Sequence, residues 1–176
     1  QPRSRGLGDV YKRQVLEAND LTVDDVGLSV NRVGSDGTTL TTTTDAAQSD
    51  IRSTGGNGNI VIRTTAGSIT LNNGTAPSDD TAVSANGSGN ILIQALGAGT
   101  DITANADIVS GSGNVSVLAA RSVSFTGTAD IRTTSTASGS GSIDVLAGTG
   151  SIAQSATSVF LSTCLLYTSP SPRDRG

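Results

Sequence analysis

Two aspartates, Asp107 and Asp130, are the residues of this chain whose type and spacing could do chemistry. Each precedes an isoleucine at the equivalent point of two successive sequence repeats. If the repeats stack, the two carboxylates lie about 5 Å apart on one face, because neighbouring strands are spaced at roughly that distance. Such a pair suits a retaining glycosidase or a calcium ion. Duplication of a repeat also produces the pair without chemistry, so we expect a solvated face on which Arg121 or Arg132 neutralises the carboxylates.

Other charged residues form weaker candidate sites. The pair Asp79-Asp80 could bind calcium, but the Gly-Gly-x-Gly-x-Asp repeat of calcium-binding β-rolls is missing, and a disordered loop tip is expected there. The sequence Asp-Ile-Arg occurs at 50–52 and again at 130–132. We interpret both copies as a surface pattern, with isoleucine pointing inward and its two neighbours pointing outward.

Glycine pairs precede a strand-forming triplet four times, beginning at Gly56, Gly87, Gly111 and Gly139. A phosphate site is one interpretation of Gly-x-Gly, but no Gly-Lys-Ser/Thr follows and no helical pattern begins there. We therefore predict corner glycines, which supply positive φ angles. The chain has 176 residues with no His and no Trp, so the usual catalytic and sugar-stacking groups are scarce, and its net charge of −4 disfavours a nucleic-acid surface. No enzyme activity, cofactor or metal is expected.

The glycine motifs mark an internal repeat, because they begin 31, 24 and 28 residues apart. Each is followed by a triplet with two-residue alternation, and helical periodicity is missing throughout. A second short strand is predicted at Ile69–Leu71, Ile102–Ala104, Val123–Phe125 and Ile152, and a third around Val83, Ile108, Ile131 and Val159. One such unit cannot bury its apolar row alone, whereas stacked units align Ile60, Ile91, Val115 and Ile143 in a ladder. The predicted fold is all-β: a parallel β-helix, right-handed, with three short strands per coil.

A more weakly marked unit precedes these four, with Leu28 and Val30, then Leu40, then Ile51, and residues 15–26 are expected to belong to one more. The largest departure from a smooth rod is predicted in the loop at 72–81, since insertions in solenoids become loops on one side. The threonine tract at 38–44 is expected to be a strand and its exit. In-register threonine arrays occur in ice-binding solenoids, but this tract is not repeated in later units.

We interpret the two ends of the chain as having a different origin from its middle. Back-translation of Asp9 to Gln14 gives DNA whose reverse complement, read one base in, encodes the sequence of Cys164 to Ser169. Such an inverted repeat resembles a translated transposon adapter from sequencing-library preparation. We therefore predict non-native tails at 1–14 and 164–176, and a β-helix fragment of about five coils at 15–163. This body has 5 Arg and 13 carboxylates, giving a charge of −8, and contains no Cys.

The segments at 87–93 and 111–117, Gly-Ser-Gly-Asn-Ile/Val followed by an alternating strand, are similar to repeats of giant bacterial surface proteins. These are the filamentous-haemagglutinin-like adhesins and autotransporter passengers, and the resemblance covers about residues 27–161. It implies a secreted, extracellular scaffold at the cell surface, with glycans or proteins of a host or neighbouring cell as partners. Neither membrane insertion nor nucleic-acid binding is expected, and uncapped terminal coils are expected to self-associate. The alternative is a fragment of a polysaccharide-active β-helix, a lyase or glycosidase.

Overall fold

The computed structural model describes residues 12–75, 79–134 and 141–161, together with the backbone of a strand at 164–167. No helix occurs in these ranges, and hence no helix that could cross a membrane. In chain order the strands are β1 (Lys12–Glu17), β2 (Leu21–Val23), β3 (Ser29–Val33), β4 (Leu40–Thr44), β5 (Ile51–Ser53), β6 (Asn59–Thr64), β7 (Ile69–Leu71), β8 (Thr81–Ala85), β9 (Ile91–Ala95), β10 (Ile102–Ala104), β11 (Asp107–Ser110), β12 (Val115–Ala119), β13 (Val123–Phe125), β14 (Ile131–Thr133), β15 (Ser142–Ala147), β16 (Ile152–Gln154), β17 (Phe160–Leu161) and β18 (Cys164–Tyr167).

Three parallel sheets wind around one axis. The first sheet has the order β1-β6-β9-β12-β15-β18, the second β2-β7-β10-β13-β16 and the third β5-β8-β11-β14-β17. Each of the five coils contributes one strand to each sheet, and β18 adds a further strand to the first. Consecutive coils pair in parallel along their full strands. The chain is therefore a parallel β-helix, which confirms the predicted fold class, whereas the right hand of the winding stays a prediction.

The core is the predicted aliphatic ladder. Ile60 pairs with Ile91, Ile91 with Val115 and Val115 with Ile143, and each is at most 2% exposed. Burial of such a side chain contributes about 1.5 to 3 kcal/mol relative to exposure. Because every coil repeats these inward positions, the apolar column is continuous through coils 2 to 5.

Buried hydroxyls close the corner between the third and first sheets. The Ser110 hydroxyl donates to the carbonyl of Gly89 over 2.8 Å and accepts the N–H of Gly113 over 3.1 Å. Two coils earlier on this edge, the Ser53 hydroxyl donates to the carbonyl of Gly58 over 2.9 Å. Buried polar groups require such partners. These side chains therefore fasten the end of one strand to the glycine corner that starts the next coil.

The predicted unit of Leu28, Val30 and Leu40 is wrong. Strands β3 and β4 instead form an antiparallel hairpin whose strand residues are all exposed. The reason is local, because the Asp36 carboxylate accepts the N–H groups of Thr38 and Thr39 and Gly37 has a φ of 70°, which closes a tight turn. The first coil is built from β1, β2 and β5 around this excursion, so only Ile51 of that predicted unit enters a coil.

Two other expectations require correction. Phe160, not Val159, pairs with Ile131 in the third sheet, and Val159 is 49% exposed because it occupies the preceding outward position.

The largest departure from the rod is the excursion at 24–50, not the loop at 72–81, of which residues 76–78 lie outside the described part. Lys12 to Gln14 lie in β1 and part of the other predicted tail forms β18, while the adapter origin of both tails stays a prediction.

Candidate functional site

The candidate aspartates meet where the chain turns into the third sheet. Asp107 is 4% exposed, so the expectation of a solvated face is wrong for this residue. A register shift accompanies this burial: Asp107 pairs with Thr81 and Ile108 pairs with Val83, leaving one extra residue, Ala82, in β8. Burial raises the pKa of the Asp107 carboxyl above its ordinary value, because desolvation disfavours the charged form.

Asp107 and Asp130 are brought together, with a guanidinium against both. The backbone N–H of Asp130 donates to Asp107 Oδ1 over 2.8 Å. Arg132 Nη2 forms an ion pair with Asp107 Oδ2, and its Nη1 lies 3.7 Å from Asp130 Oδ2. The other oxygen of Asp130 accepts the N–H of Val159 over 2.6 Å. The predicted neutralisation by Arg132 is confirmed, and both carboxylates are engaged in holding coils together.

Arg121 neutralises a different aspartate from the one expected. Its Nε donates to Asp101 Oδ1 over 2.8 Å, and its Nη2 contacts Asp101 Oδ2. These hydrogen bonds lower the pKa of Asp101. The N–H of Ser122 also donates to Asp101 Oδ1, over 3.1 Å. Asp101 is thus a corner residue of the second sheet, which sequence spacing alone did not single out.

A second arginine clamp lies at the other end of the third sheet. Arg52 Nε and Nη2 donate to Asp50 Oδ2 over 3.2 and 3.1 Å, and Nη2 also contacts Asp79. Burial opposes any fall in the pKa of Asp79, but the hydrogen bond and charge of Arg52 leave that pKa below its ordinary value. The Asp50 side chain has no exposed surface, so the expectation that both neighbours of Ile51 point outward is wrong for Asp50.

Asp79 and Asp80 are held by side chains of other coils, Arg52 one coil before and Thr128 two coils after. Asp80 Oδ2 accepts the Thr128 hydroxyl over 2.6 Å, and Asp79 joins the Arg52 clamp. The disordered loop tip expected for this pair is therefore wrong for both residues. Among the described residues no group of three or more His, Cys, Asp or Glu side chains is placed to hold a metal ion. At both clamps, the positive charge against the carboxylates is a guanidinium.

The glycine motifs that begin at Gly56, Gly87 and Gly111 form corners, as the sequence predicts, and stack backbone on backbone, while Gly139 of the fourth motif lies outside the described residues. A Cβ added to Gly113 would lie 2.1 Å from the carbonyl oxygen of Gly89, and one added to Gly111 would lie 2.3 Å from that of Gly87. Gly87 itself has a φ of 56°. Three features therefore require glycine at these corners: the tight turn, the positive φ, and the close approach of the backbone of the preceding coil.

The outer face of the second sheet carries three columns of small polar side chains that sequence reasoning missed. The central column follows the strand register, Thr22 to Thr70 to Thr103 to Ser124. The residues two positions before and after each of these also point outward, because alternate residues of a strand share a face. The available signal was the repeated alternation Ser68-x-Thr70-x-Asn72 and Asp101-x-Thr103-x-Asn105.

Hydrogen bonds between coils fix both flanking columns. On one side Asp20 Oδ1 accepts the N–H of Ser68 over 2.7 Å, and the Ser68 hydroxyl accepts the N–H of Asp101 over 3.1 Å. On the other side Asn72 Nδ2 donates to Asp24 over 2.8 Å, and Asn105 Nδ2 donates to Asn72 Oδ1 over 2.7 Å. The central hydroxyls differ from these, because within the described residues they have no hydrogen-bond partner and face solvent.

The excursion carries a group of exposed apolar side chains. Val26, Leu28, Val30, Val33 and Leu40 are each more than half exposed. The hairpin base contacts the neighbouring loop, where Asp25 accepts the N–H of Thr75 over 2.8 Å and its hydroxyl over 2.6 Å. The excursion at 24–50 and the described parts of the loop, 72–75 and 79–81, leave the β-helix at the corner between the second and third sheets, and we call them together the flange.

A shallow hollow of about 500 Å³ lies on the first sheet. Val61 and Leu92 form its floor, beside a column of asparagines, Asn59, Asn90 and Asn114. The N–H of Asn90 donates to Asn59 Oδ1 and that of Asn114 to Asn90 Oδ1, each over 2.8 Å. The asparagines of the glycine motifs therefore serve as supports between coils.

The chain matches no protein-family model, no curated protein and no solved structure at a significant level. The resemblance to haemagglutinin-type repeats stays a prediction.

Proposed function

We propose that this chain is a segment of a rigid, non-catalytic shaft in a large exported bacterial surface protein, acting extracellularly in adhesion. The observation that carries the proposal is the unbroken inward ladder of Ile60, Ile91, Val115 and Ile143. Each coil contacts its two neighbours through the same inward positions, so the cross-section changes little along coils 2 to 5. Such a body is suited to spanning distance and presenting a surface.

The flange supports a role in presentation. Its excursion displays five apolar side chains, and the hairpin has two strand edges that have no neighbour among the described residues. An isolated hairpin contributes little stability to the coil stack, because three or more strands or a packed face are needed for that. Exposed apolar residues gathered on one projection are typical of a contact surface for glycans or proteins of another cell.

The rival function is a polysaccharide lyase or glycosidase fragment, and the buried carboxyl of Asp107 is the observation that favours it. A raised pKa beside a second carboxylate is typical of an acid catalyst. Arg132 and the N–H of Asp130 already bind both oxygens of Asp107, however, and little of its surface is open to a substrate. These contacts favour a structural role.

Two experiments test the proposal. The uninterrupted source reading frame should contain many further units and an export domain, and a short cytoplasmic frame would contradict it. The purified chain should bind on a glycan or cell-surface protein array and release no reducing sugar from polysaccharides. Turnover that is lost in Asp107→Asn would establish the rival function instead.

A further inference from the structure

We infer that the open edge of β4 is an interface with a second copy of this chain, in which two β4 strands pair antiparallel across a two-fold axis centred on Thr42. The inference goes beyond the proposed function, because such pairing requires neither export nor adhesion. It starts from the hairpin of β3 and β4, whose strand residues are all exposed and with which no third strand pairs among the described residues.

The hairpin has the side chains of a larger sheet. Val30 and Val33 of β3 and Leu40 of β4 are each more than half exposed. A two-stranded hairpin is only marginally stable by itself, and further strands extend the cross-strand contacts on both of its faces. Pairing of two β4 strands would produce a sheet of four strands in the order β3-β4-β4-β3.

The backbone of β4 presents a regular set of hydrogen-bonding groups at its open edge. At the two ends of the strand, the carbonyl of Thr39 accepts the N–H of Gly34 and the N–H of Asp45 donates to the carbonyl of Leu28. Because hydrogen bonding alternates along an antiparallel strand, residues 41 and 43 also bond to β3, and the N–H and C=O groups of residues 40, 42 and 44 point to the open edge.

These edge groups match those of a second β4. An axis centred on Thr42 places Thr42 opposite its own copy and Leu40 opposite the partner's Thr44. All three residue pairs then exchange both of their N–H···O hydrogen bonds. The edge is also ordered before it pairs, since the Thr42 hydroxyl donates to Asn31 over 2.8 Å and the Thr44 and Ser29 hydroxyls lie 2.8 Å apart.

The side chains of β4 indicate that the occupant is a second copy. In the pairing centred on Thr42, every cross-strand pair contains threonine, because residues 41–44 are all threonine. Threonines directly opposite each other on two strands interact favourably. A run of one residue type is its own antiparallel complement, so the same tract supplies both sides of the interface.

Charge distinguishes the two edges of the hairpin. Sheets protect exposed edges with charged residues, proline or bulges. The β3 strand carries Arg32, and two-fold pairing of β3 around Asn31 would place two such guanidinium groups on diagonal positions, with Cα atoms roughly 7 to 8 Å apart. Residues 38–44 contain neither a charged residue nor proline, and their register with β3 has no bulge. Association through β4 alone therefore closes at a dimer and does not continue into a fibre.

The dimer should be weak. One pair of short strands buries less than the roughly 1,200 Å² that stable complexes exceed. At each end of the paired segment, Asp45 lies opposite the partner's Thr39, whose N–H binds Asp36, so two carboxylates repel each other. Association should therefore require high protein concentration and should strengthen with added salt, which screens exposed charges.

The test is sedimentation equilibrium of the full 176-residue chain. Wild type should show a monomer–dimer equilibrium at concentrations up to about 0.5 mM, as expected for a small interface. Thr42→Lys should abolish the dimer, because two lysines would lie directly opposite each other. The matched control is Asn31→Lys, which also removes the hydrogen bond between Thr42 and Asn31 but places the lysine on the β3 edge, and it should dimerise like wild type.

Two further measurements test the register. An equal mixture of Thr42→Lys and Thr42→Asp should restore the dimer, since opposite charges then face each other across the axis. In amide exchange followed by nuclear magnetic resonance, the N–H groups of Leu40, Thr42 and Thr44 should gain protection as concentration rises, whereas protection of Thr41 and Thr43 should not depend on concentration. Circular dichroism of each variant checks that the fold is retained.

Several outcomes would overturn the inference. A wild-type chain that stays monomeric over the whole range is one, and a mixture of the two Thr42 variants that stays monomeric is another. Association that Thr42→Lys leaves unchanged would assign the contact to another surface, such as the terminal coils. Concentration-dependent protection of Asn31 and Val33 would assign it to β3. None of these results affects the proposed function, which reducing-sugar release or a short cytoplasmic frame would contradict whatever the oligomeric state.

Discussion

The Asp107 carboxylate accepts the backbone N–H of Asp130, one coil further on, over 2.8 Å. The same arrangement recurs one coil later, where Asp130 accepts the N–H of Val159 over 2.6 Å. At these two successive third-sheet strands the preceding aspartate side chain thus completes the hydrogen bonding of the next coil, and aspartate repeats here for a structural reason.

Two substitutions of Asp107 distinguish the contribution of its hydrogen bonds to stability from that of its charge. Asp107→Asn keeps an acceptor for the Asp130 N–H and removes a buried charge, so the free energy of unfolding at neutral pH should change by less than about 1 kcal/mol. Asp107→Ala should lower it by about 1 to 3 kcal/mol, because buried groups lose their partner. Urea denaturation measures both values, and equal losses in the two variants would contradict this role.

The Asp107 charge also predicts a pH dependence. Its pKa is raised in the folded chain, so its contribution to stability is fully present below the unfolded pKa and is lost as pH rises through the folded pKa. Wild type should therefore gain stability relative to Asp107→Asn as pH falls from neutral towards about 4, the ordinary aspartate value. Urea denaturation across this range measures the difference, and a difference that does not vary with pH would contradict it.

The inward ladder should be the most sensitive part of the chain to truncation. Ile93 is fully buried, and Ile93→Ala should lower the free energy of unfolding by about 2 to 5 kcal/mol. The adjacent Gln94 points outward on the same strand, and Gln94→Ala should change it by at most about 0.5 kcal/mol. Denaturation curves of the pair provide the measurement, and similar losses would mean that the strand does not have one buried face.

Replacing a corner glycine by alanine should lower the stability of the chain only where the backbone of the preceding coil lies against that glycine. Gly113→Ala places a methyl group against the Gly89 carbonyl and should cost about 1 to 3 kcal/mol, because the stacked backbones must separate. Gly55→Ala is the control, since no atom lies within 4 Å of its added Cβ and its stability should be unchanged or slightly higher. Thermal unfolding of both variants tests this, and an unaffected Gly113→Ala would show that the corners are loosely packed.

The hairpin turn should titrate at unusually low pH. Hydrogen bonds from the Thr39 hydroxyl and N–H and from the Thr38 N–H lower the pKa of Asp36 to about 2. A depressed pKa contributes stability above the unfolded value, and that contribution is lost as pH falls through the folded one. The amide resonances of Thr38 and Thr39 should shift with a midpoint near 2 and become independent of pH in Asp36→Asn. A midpoint near 3.8, the ordinary aspartate value, would contradict the turn geometry.

The excursion should be dispensable for the fold. Replacing residues 27–47 with Gly-Gly removes strands whose residues are all exposed, and the bridge between Val26 and Gln48 already brings the ends together. Far-ultraviolet circular dichroism and the thermal midpoint should match those of the parent chain. Loss of the cooperative transition would show that the hairpin packs on the shaft.

The coil stack was predictable because its signals are local and repeated. Ile91, Val115 and Ile143 each follow a glycine pair and alternate with outward residues, so one register satisfies all of them. The hairpin was missed because Leu28, Val30 and Leu40 have the same alternation, and only the turn at Asp36 and Gly37 separates a hairpin from another coil.

The candidate site was less predictable, since it depends on one inserted residue. The extra residue Ala82 shifts the register of β8 and accompanies the burial of Asp107, and no periodic pattern reports a shift of this kind. The central column on the outer face of the second sheet had a signal in the repeated Thr70 and Thr103. The sequence alone does not show that these two residues lie side by side in successive coils.

The hydrogen bonds between coils run along the axis of the β-helix, and this has a mechanical consequence. Tension on the two ends would load the coils in series, so that the outermost one peels away before the next yields. The 24 residues from Ile91 to Asn114 make one coil, and each would add roughly 3.4 Å of extended chain, about 80 Å per coil. If the chain acts as the proposed adhesive shaft, it would lengthen stepwise under a sudden load, and the attachment at its ends would be kept.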